Sequence, residues 1–112
     1  MKNKRPLMLL LLACCLAQPV FGAKIYGVRD CGEWINRKKN PYSELAVEAW
    51  LGGYMSGLSV MHQLNGKKDD PLGKTNSVDQ IFLWMDNYCQ KNPLSDIPDG
   101  GNALFIELMK RK

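Results

Sequence analysis

A cysteine set inside a helical stripe constrains this chain more than any other residue. Ser77 to Pro93, SVDQIFLWMDNYCQKNP, puts Val78, Ile81, Phe82, Met85, Tyr88 and Cys89 on one face at helical spacing. Ser77 can cap the start, with Gln80 three residues on. Lys91 falls in the last turn, and Asn92-Pro93 stops the helix. Cys89 therefore points inward. Outside the N-terminal segment its one possible mate is Cys31, so the expectation is a small helical domain closed by a Cys31–Cys89 disulfide.

The pairing depends on how the N-terminus is read. Lys2, Lys4 and Arg5 form a basic start, Leu7 to Ala17 is a short apolar run, and Val20-Phe21-Gly22 precedes a cut near Ala23. This is the layout of a secretory signal peptide over residues 1–22, followed by a helical domain over 23–112. The apolar run is about half the length that a bilayer-crossing helix needs. The longest later run, Trp50 to Met61, is interrupted by Gly52, Gly53 and Gly57, so no membrane span is expected. Leu11-Leu12-Ala13-Cys14 also resembles a lipobox, which would anchor the chain through Cys14 and leave Cys15 as an odd thiol. Cleavage at Ala23 removes both and leaves an even pair in an oxidising compartment, where a disulfide is the default. Closing 58 positions of chain removes unfolded-state entropy worth on the order of 4 kcal/mol.

Cleavage also changes the charge. The full chain of 112 residues carries +4, from 15 basic and 11 acidic side chains. Removing Lys2, Lys4 and Arg5 leaves 12 basic against 11 acidic, about +1. That balance gives no standing positive patch and argues against nucleic-acid binding. The runs Arg37-Lys38-Lys39 and Lys110-Arg111-Lys112 read as solvated helix ends placed favourably on the helix dipole.

Along the mature chain the pattern predicts four helices and negligible strand, an all-α class. Lys24 to Val28 reads as a short extended arm. Helix one runs from Cys31 to Lys39, with Asp30 as cap and Glu33 completing a capping box; Cys31, Trp34, Ile35 and Lys38 share a face. Asn40-Pro41 ends it. Helix two runs from about Glu44 to Leu64, capped by Ser43, with Val47, Trp50, Leu51, Tyr54, Leu58 and Met61 inward. Helix three is the Ser77 stretch, so the disulfide would link helices one and three. Pro93 to Gly101 reads as a turn-rich connection, and helix four starts near Asn102 with Phe105, Ile106, Leu108 and Met109 inward.

Two features point to contact surfaces. Ala49, Gly53 and Gly57 form a stripe at intervals of four on helix two. Glycine in a helix costs about 1 kcal/mol against alanine, tolerable where another backbone comes close. The stripe is therefore either a close-packing seam inside the domain or a self-association surface for a homodimer. The polar stretch Gly66 to Asn76 is a solvated linker or a partner loop, with Lys67, Lys68, Asp69 and Asp70 as contact candidates. Trp84, off the main apolar face of helix three, is a further candidate.

Catalytic constellations are weak. His62 lies one turn after Ser59, but a Ser–His dyad lacks a visible orienting acid and an oxyanion site. One histidine and no spare cysteine argue against a zinc site, and no cofactor motif stands out. Glu44 and Glu48 are a carboxylate pair at the start of a helix, where the dipole favours negative charge. Asp79 and Asp86 read as a solvated face. The expectation is a non-enzymatic protein.

CGEW at Cys31–Trp34, AWLGGYMSGLSV at Ala49–Val60, FLWMDNYCQKNP at Phe82–Pro93 and ALFIEL at Ala103–Leu108 together resemble the Rap/Tai family of immunity proteins. The likeness covers nearly all of residues 31–108. It implies a periplasmic protein that shields a bacterium from cell-wall amidase effectors of type VI secretion, through exposed loops and without catalysis. A helical domain with one disulfide between early and late helices is also similar in architecture to HdeA-type acid-stress chaperones. That likeness implies a domain loosened at low pH, where 12 basic side chains, His62 and the amino terminus would stand unopposed.

Overall fold

The computed structural model describes residues 24–112; the signal reading of residues 1–22 and the Cys14 anchor lie outside them. Four α-helices make up the body: α1 Cys31–Asn36, α2 Pro41–Leu64, α3 Val78–Lys91 and α4 Ile97–Lys110. Two 3₁₀ turns, Arg37–Lys39 and Leu72–Lys74, lie between them. Among the described residues there is no strand, only one isolated antiparallel bridge between Asp30 and Asp96. No helix among them is long and apolar enough to cross a membrane. The class is all-α, as the periodicity predicts.

The disulfide joins Cys31 of α1 to Cys89 of α3, with Sγ atoms 2.08 Å and Cα atoms 5.1 Å apart. Both cysteines are fully buried. Around them pack Trp34, Val47, Leu51, Met55, Ile81, Met85, Ile97, Leu104, Phe105 and Leu108, one core fed by every helix. On α2 the buried residues are Val47, Leu51 and Met55, and on α3 they are Ile81, Met85 and Cys89, each set one helical turn apart.

Asp30 caps α1 by accepting a hydrogen bond from the Glu33 amide at 2.8 Å. Only half of the capping box forms, because the Glu33 carboxylate turns to Arg29 at 3.2 Å. The chain then tightens into the 3₁₀ turn, and its first residue, Arg37, is buried beside Cys31 and Trp34 of the helix before it. Ile35, expected on the face of Cys31 and Trp34, is exposed, and Lys38 and Lys39 are solvated as expected. Helix α2 starts three residues earlier than its predicted first residue. Asn40 caps it through the Tyr42 amide at 2.9 Å, and Pro41 occupies the first turn, where its missing N–H is no loss. Met61, expected inward, is exposed, and Met55 takes the core position.

Helix α3 has the expected bounds. Ser77 makes no side-chain cap bond; the Gln80 side chain instead accepts from the Asn76 amide at 2.7 Å. Helix α4 begins at Ile97, five residues before the predicted Asn102, with Pro98 in its first turn and Gly100 and Gly101 inside it. Ile106 and Met109, expected inward, are exposed, and Leu104 is buried in their place. The glycines are there for close approach. A Cβ at Gly100 would stand 2.7 Å from Met85 Sδ and 2.8 Å from Tyr88 Cδ1; one at Gly101 would stand 2.9 Å from Tyr54 Cδ1. The tight seam of the domain thus runs through α4, with no part played by the Ala49–Gly53–Gly57 stripe.

The arm before α1 bends at Gly27, whose φ is +63°, and leaves Ile25, Tyr26 and Val28 exposed. It is tied to the start of α4 by backbone bonds: the Ile97 amide donates to Arg29 O at 2.8 Å, and the Cys31 amide to Ser95 O at 2.9 Å.

Candidate interaction surfaces

Five ion pairs tie side chains of the described residues together. Arg37, expected as part of a solvated helix end, is only 3% exposed. Its guanidinium lies over the Trp34 ring, 4.0 Å from the centroid. It donates to Asp86 at 2.7 Å, to Glu48 at 3.0 Å and to the Trp34 carbonyl at 3.0 Å. Trp34 Nε1 also donates to Asp86, at 2.8 Å. Burial opposes the Arg37 charge, but the hydrogen bonds and charges of Asp86 and Glu48 outweigh it and hold its pKa above the ordinary value. Asp86 is therefore a partly buried counter-ion, where a solvated face was expected, and Glu48 of the Glu44/Glu48 pair is engaged by a cation. The one sequence signal for this is the interval of three between Trp34 and Arg37, which puts them side by side on a helix surface.

His62 does have an acidic partner. Its Nε2 lies 2.8 Å from Asp69 Oδ1, and its ring meets Phe105 edge-on at 5.7 Å. That bond, first among the causes, holds the Asp69 carboxyl below its usual range. Ser59 bonds to Asp70, at 3.4 Å. Ser59 and His62 thus each hold one end of the Asp69-Asp70 pair, an arrangement that fastens a loop. Among the described residues no group of three or more His, Cys, Asp or Glu side chains could hold a metal.

The Gly66–Asn76 stretch is consequently a pinned loop. Gly66, at φ +80°, turns the chain out of α2. Asp69 and Asp70 fold back onto that helix, Pro71 is buried and Leu72 packs on the core. Lys74 Nζ then donates to the Leu108 carbonyl at 3.0 Å and to the Arg111 carbonyl at 2.6 Å, capping the C-terminus of α4. Of the four predicted contact residues, Asp69 and Asp70 are thus internal anchors, while Lys67 and Lys68 are exposed with no ion pair among the described residues.

Trp84 is half-buried. It stacks on Tyr88 at 5.5 Å, and its Nε1 donates to Glu107 at 2.9 Å. Glu107 also accepts from Arg111, and these bonds hold its carboxyl below the usual range, the Arg111 bond most.

Ala49, Gly53 and Gly57 lie on the outside of α2. Nothing stands within 4 Å of a Cβ built at Gly52, Gly53 or Gly57. The close-packing reading of the stripe is therefore wrong for the domain itself: α2 turns Val47, Leu51 and Met55 inward, and the stripe occupies the opposite side of the cylinder. No protein-family model matches the chain, and neither does any curated protein or solved structure.

Proposed function

We propose that this chain is an exported, non-enzymatic binding protein of the immunity type, acting in the periplasm on a secreted cell-wall amidase. The observation that carries the reading is the pinned 66–76 loop. Its ends are fixed to α2 through His62 and to α4 through Lys74, and it presents Lys67 and Lys68 to solvent. A loop already ordered before contact loses little conformational entropy on binding, which favours tight recognition from a small surface. The disulfide between α1 and α3 keeps the scaffold rigid outside the cell. The motif resemblance to the Rap/Tai family supplies the partner class, and the leader read over residues 1–22 supplies the compartment.

The test pairs the purified protein with the product of a neighbouring gene that encodes a secreted amidase. Inhibition of peptidoglycan cleavage, weakened at least about tenfold by Lys67→Glu with Lys68→Glu, supports the reading. No inhibition and no binding at about 100 µM overturns it.

A second reading, an acid-stress chaperone, is favoured by the Arg37 cluster. Arg37 is a cation 3% exposed whose counter-charges are both carboxylates, so its burial depends on their charge. Such a domain loosens near pH 2 and suppresses aggregation of a client there; a cooperative, fully folded state at that pH rules it out.

A further inference from the structure

The 66–76 loop and the end of α4 meet at one end of the molecule, and their charge is unbalanced. Residues 66–76 and 107–112 hold six Lys or Arg against three Asp or Glu; the rest of residues 24–112 holds six against eight. The two segments touch through Lys74, which donates to the Leu108 and Arg111 carbonyls. Their carboxylates are engaged: Asp69 with His62, Asp70 with Ser59, and Glu107 with Arg111 and Trp84. Lys67, Lys68, Lys110 and Lys112 are exposed and in no ion pair among the described residues. The uncompensated charge at this end is therefore positive.

A hollow of about 240 Å³ opens beside this junction, between α3 and α4. The buried side chains Ile81, Leu104 and Leu108 lie at its base, and the half-buried Trp84 indole is one wall. Thr75 and Arg111 also line it, so the hollow shares residues with the loop end and with the end of α4. These walls are fixed before any contact. The Thr75 hydroxyl donates to the Leu72 carbonyl at 2.8 Å, and Glu107 holds Trp84 Nε1 at 2.9 Å. A preformed pocket loses little conformational entropy on being filled. The volume is below the roughly 300–1,000 Å³ of pockets that enclose a small molecule; it suits one large side chain. An apolar base ringed by polar and charged groups is the form of a pocket that takes an anchor residue across a protein interface.

We infer that the hollow and the cations beside it dock an acidic segment of a protein partner: one large apolar side chain sits against Trp84 and Leu104, and flanking Asp or Glu residues face Lys110, Arg111 and Lys112. The inference rests on the reading of the 66–76 loop as a contact surface and states the chemistry of what that surface meets. Charge complementarity selects the occupant, because like charges across an interface are repelled. Arg111 adds direction, since its guanidinium has N–H donors beyond the one that bonds Glu107. The hollow on the far side of α3 has the opposite character. Glu44, Glu48, Asp79 and Asp86 line it around Arg37, so it turns an acidic segment away and leaves the α3–α4 side as the docking face.

The probe is a phage-displayed library of random peptides panned on the purified protein, with the selected peptides synthesised and titrated. The enriched peptides should carry Asp or Glu around a Leu, Phe or Trp and bind more weakly as salt rises, because exposed charges are screened. Asn87, exposed on the lining of the hollow, gives the first variant: Asn87→Trp fills the space and should weaken binding at least about tenfold. Gln80→Glu keeps an acceptor for the Asn76 amide but sets a negative charge in the hollow, and should weaken binding severalfold. Lys38→Glu, on the far side of α3, should leave the affinity unchanged and so separates a local effect from one of net charge. Helical circular dichroism should be the same in all three. Failure to enrich any peptide, enrichment of neutral or basic ones, or an affinity that Asn87→Trp does not move overturns the proposal. Binding to phosphatidylglycerol vesicles in place of peptides also overturns it. Peptides that dock in the hollow without any amidase inhibition would uphold this inference and refute the amidase as partner; amidase inhibition that Asn87→Trp leaves intact would do the reverse.

Discussion

Asp86→Ala is the sharpest test of what holds the domain together. Asp86 accepts from Arg37 at 2.7 Å and from Trp34 Nε1 at 2.8 Å. Truncation therefore leaves an indole N–H without its acceptor and a guanidinium with Glu48 as its remaining counter-ion. Breaking a fully buried pair costs about 3–5 kcal/mol. The Asp86 side chain is 30% exposed, and Glu48 stays within 3.0 Å of Arg37, so the loss belongs below that range, at about 2–3 kcal/mol. For a domain of this size it lowers the melting temperature by roughly 10–20 °C. Urea denaturation followed by circular dichroism gives the free energy directly. Asp86→Asn, which keeps an acceptor for Trp34 but drops the charge, should lose about half as much. The double change Arg37→Met with Asp86→Leu should recover only the part of the loss that comes from the unpaired guanidinium, because the buried Trp34 N–H still lacks its acceptor. A loss under about 0.5 kcal/mol for Asp86→Ala would refute the reasoning, since it would place the cluster among ordinary surface pairs.

Removing the disulfide by Cys31→Ala with Cys89→Ala should cost about 4 kcal/mol in chemical denaturation, from the 58-residue separation of the two cysteines. Gly100→Ala should destabilise by about 1–3 kcal/mol in spite of alanine's better helix propensity, because its methyl would meet Met85 and Tyr88 below 3.0 Å; a rise in melting temperature would count against the α4 seam. Lys74→Met should lose about 1 kcal/mol and speed amide exchange across residues 72–76, as the cap on the Leu108 and Arg111 carbonyls disappears. Glu107 has its folded pKa below its unfolded one, so the unfolded chain binds the extra proton and stability rises with pH across that interval. The contribution is complete above about pH 5 and is lost as pH falls through the depressed value; Glu107→Gln should flatten the melting temperature against pH between about 3 and 5.

The periodic parts of the chain were legible and the exceptions were not. Ile81, Met85 and Cys89 repeat at helical intervals, and the Asp30 cap and the Cys31–Cys89 pair follow from residue type and position. The start of α4 was hidden because Pro98, Gly100 and Gly101 are breakers by propensity, yet the first turn accepts proline and close packing against Met85, Tyr88 and Tyr54 requires glycine there. The start of α2 was hidden for a related reason, since Asn40-Pro41 both ends one helix and begins the next. Arg37 looked like the first of three solvated cations; it turns inward beside Trp34 while Lys38 and Lys39 stay in water. On the candidate surfaces, the loop's residues were identifiable, but which of them serve as anchors depends on His62 and Ser59, a turn or more away in sequence and adjacent in space.

The Lys74 clamp gives the loop a built-in optical reporter. Lys74 holds the Arg111 carbonyl, Arg111 pairs with Glu107, and Glu107 fixes the indole of Trp84. A molecule that draws Lys67 and Lys68 outward pulls on a linkage ending at one of the chain's three tryptophans, so docking at the loop should change Trp84 emission once Trp34 and Trp50 are replaced by phenylalanine.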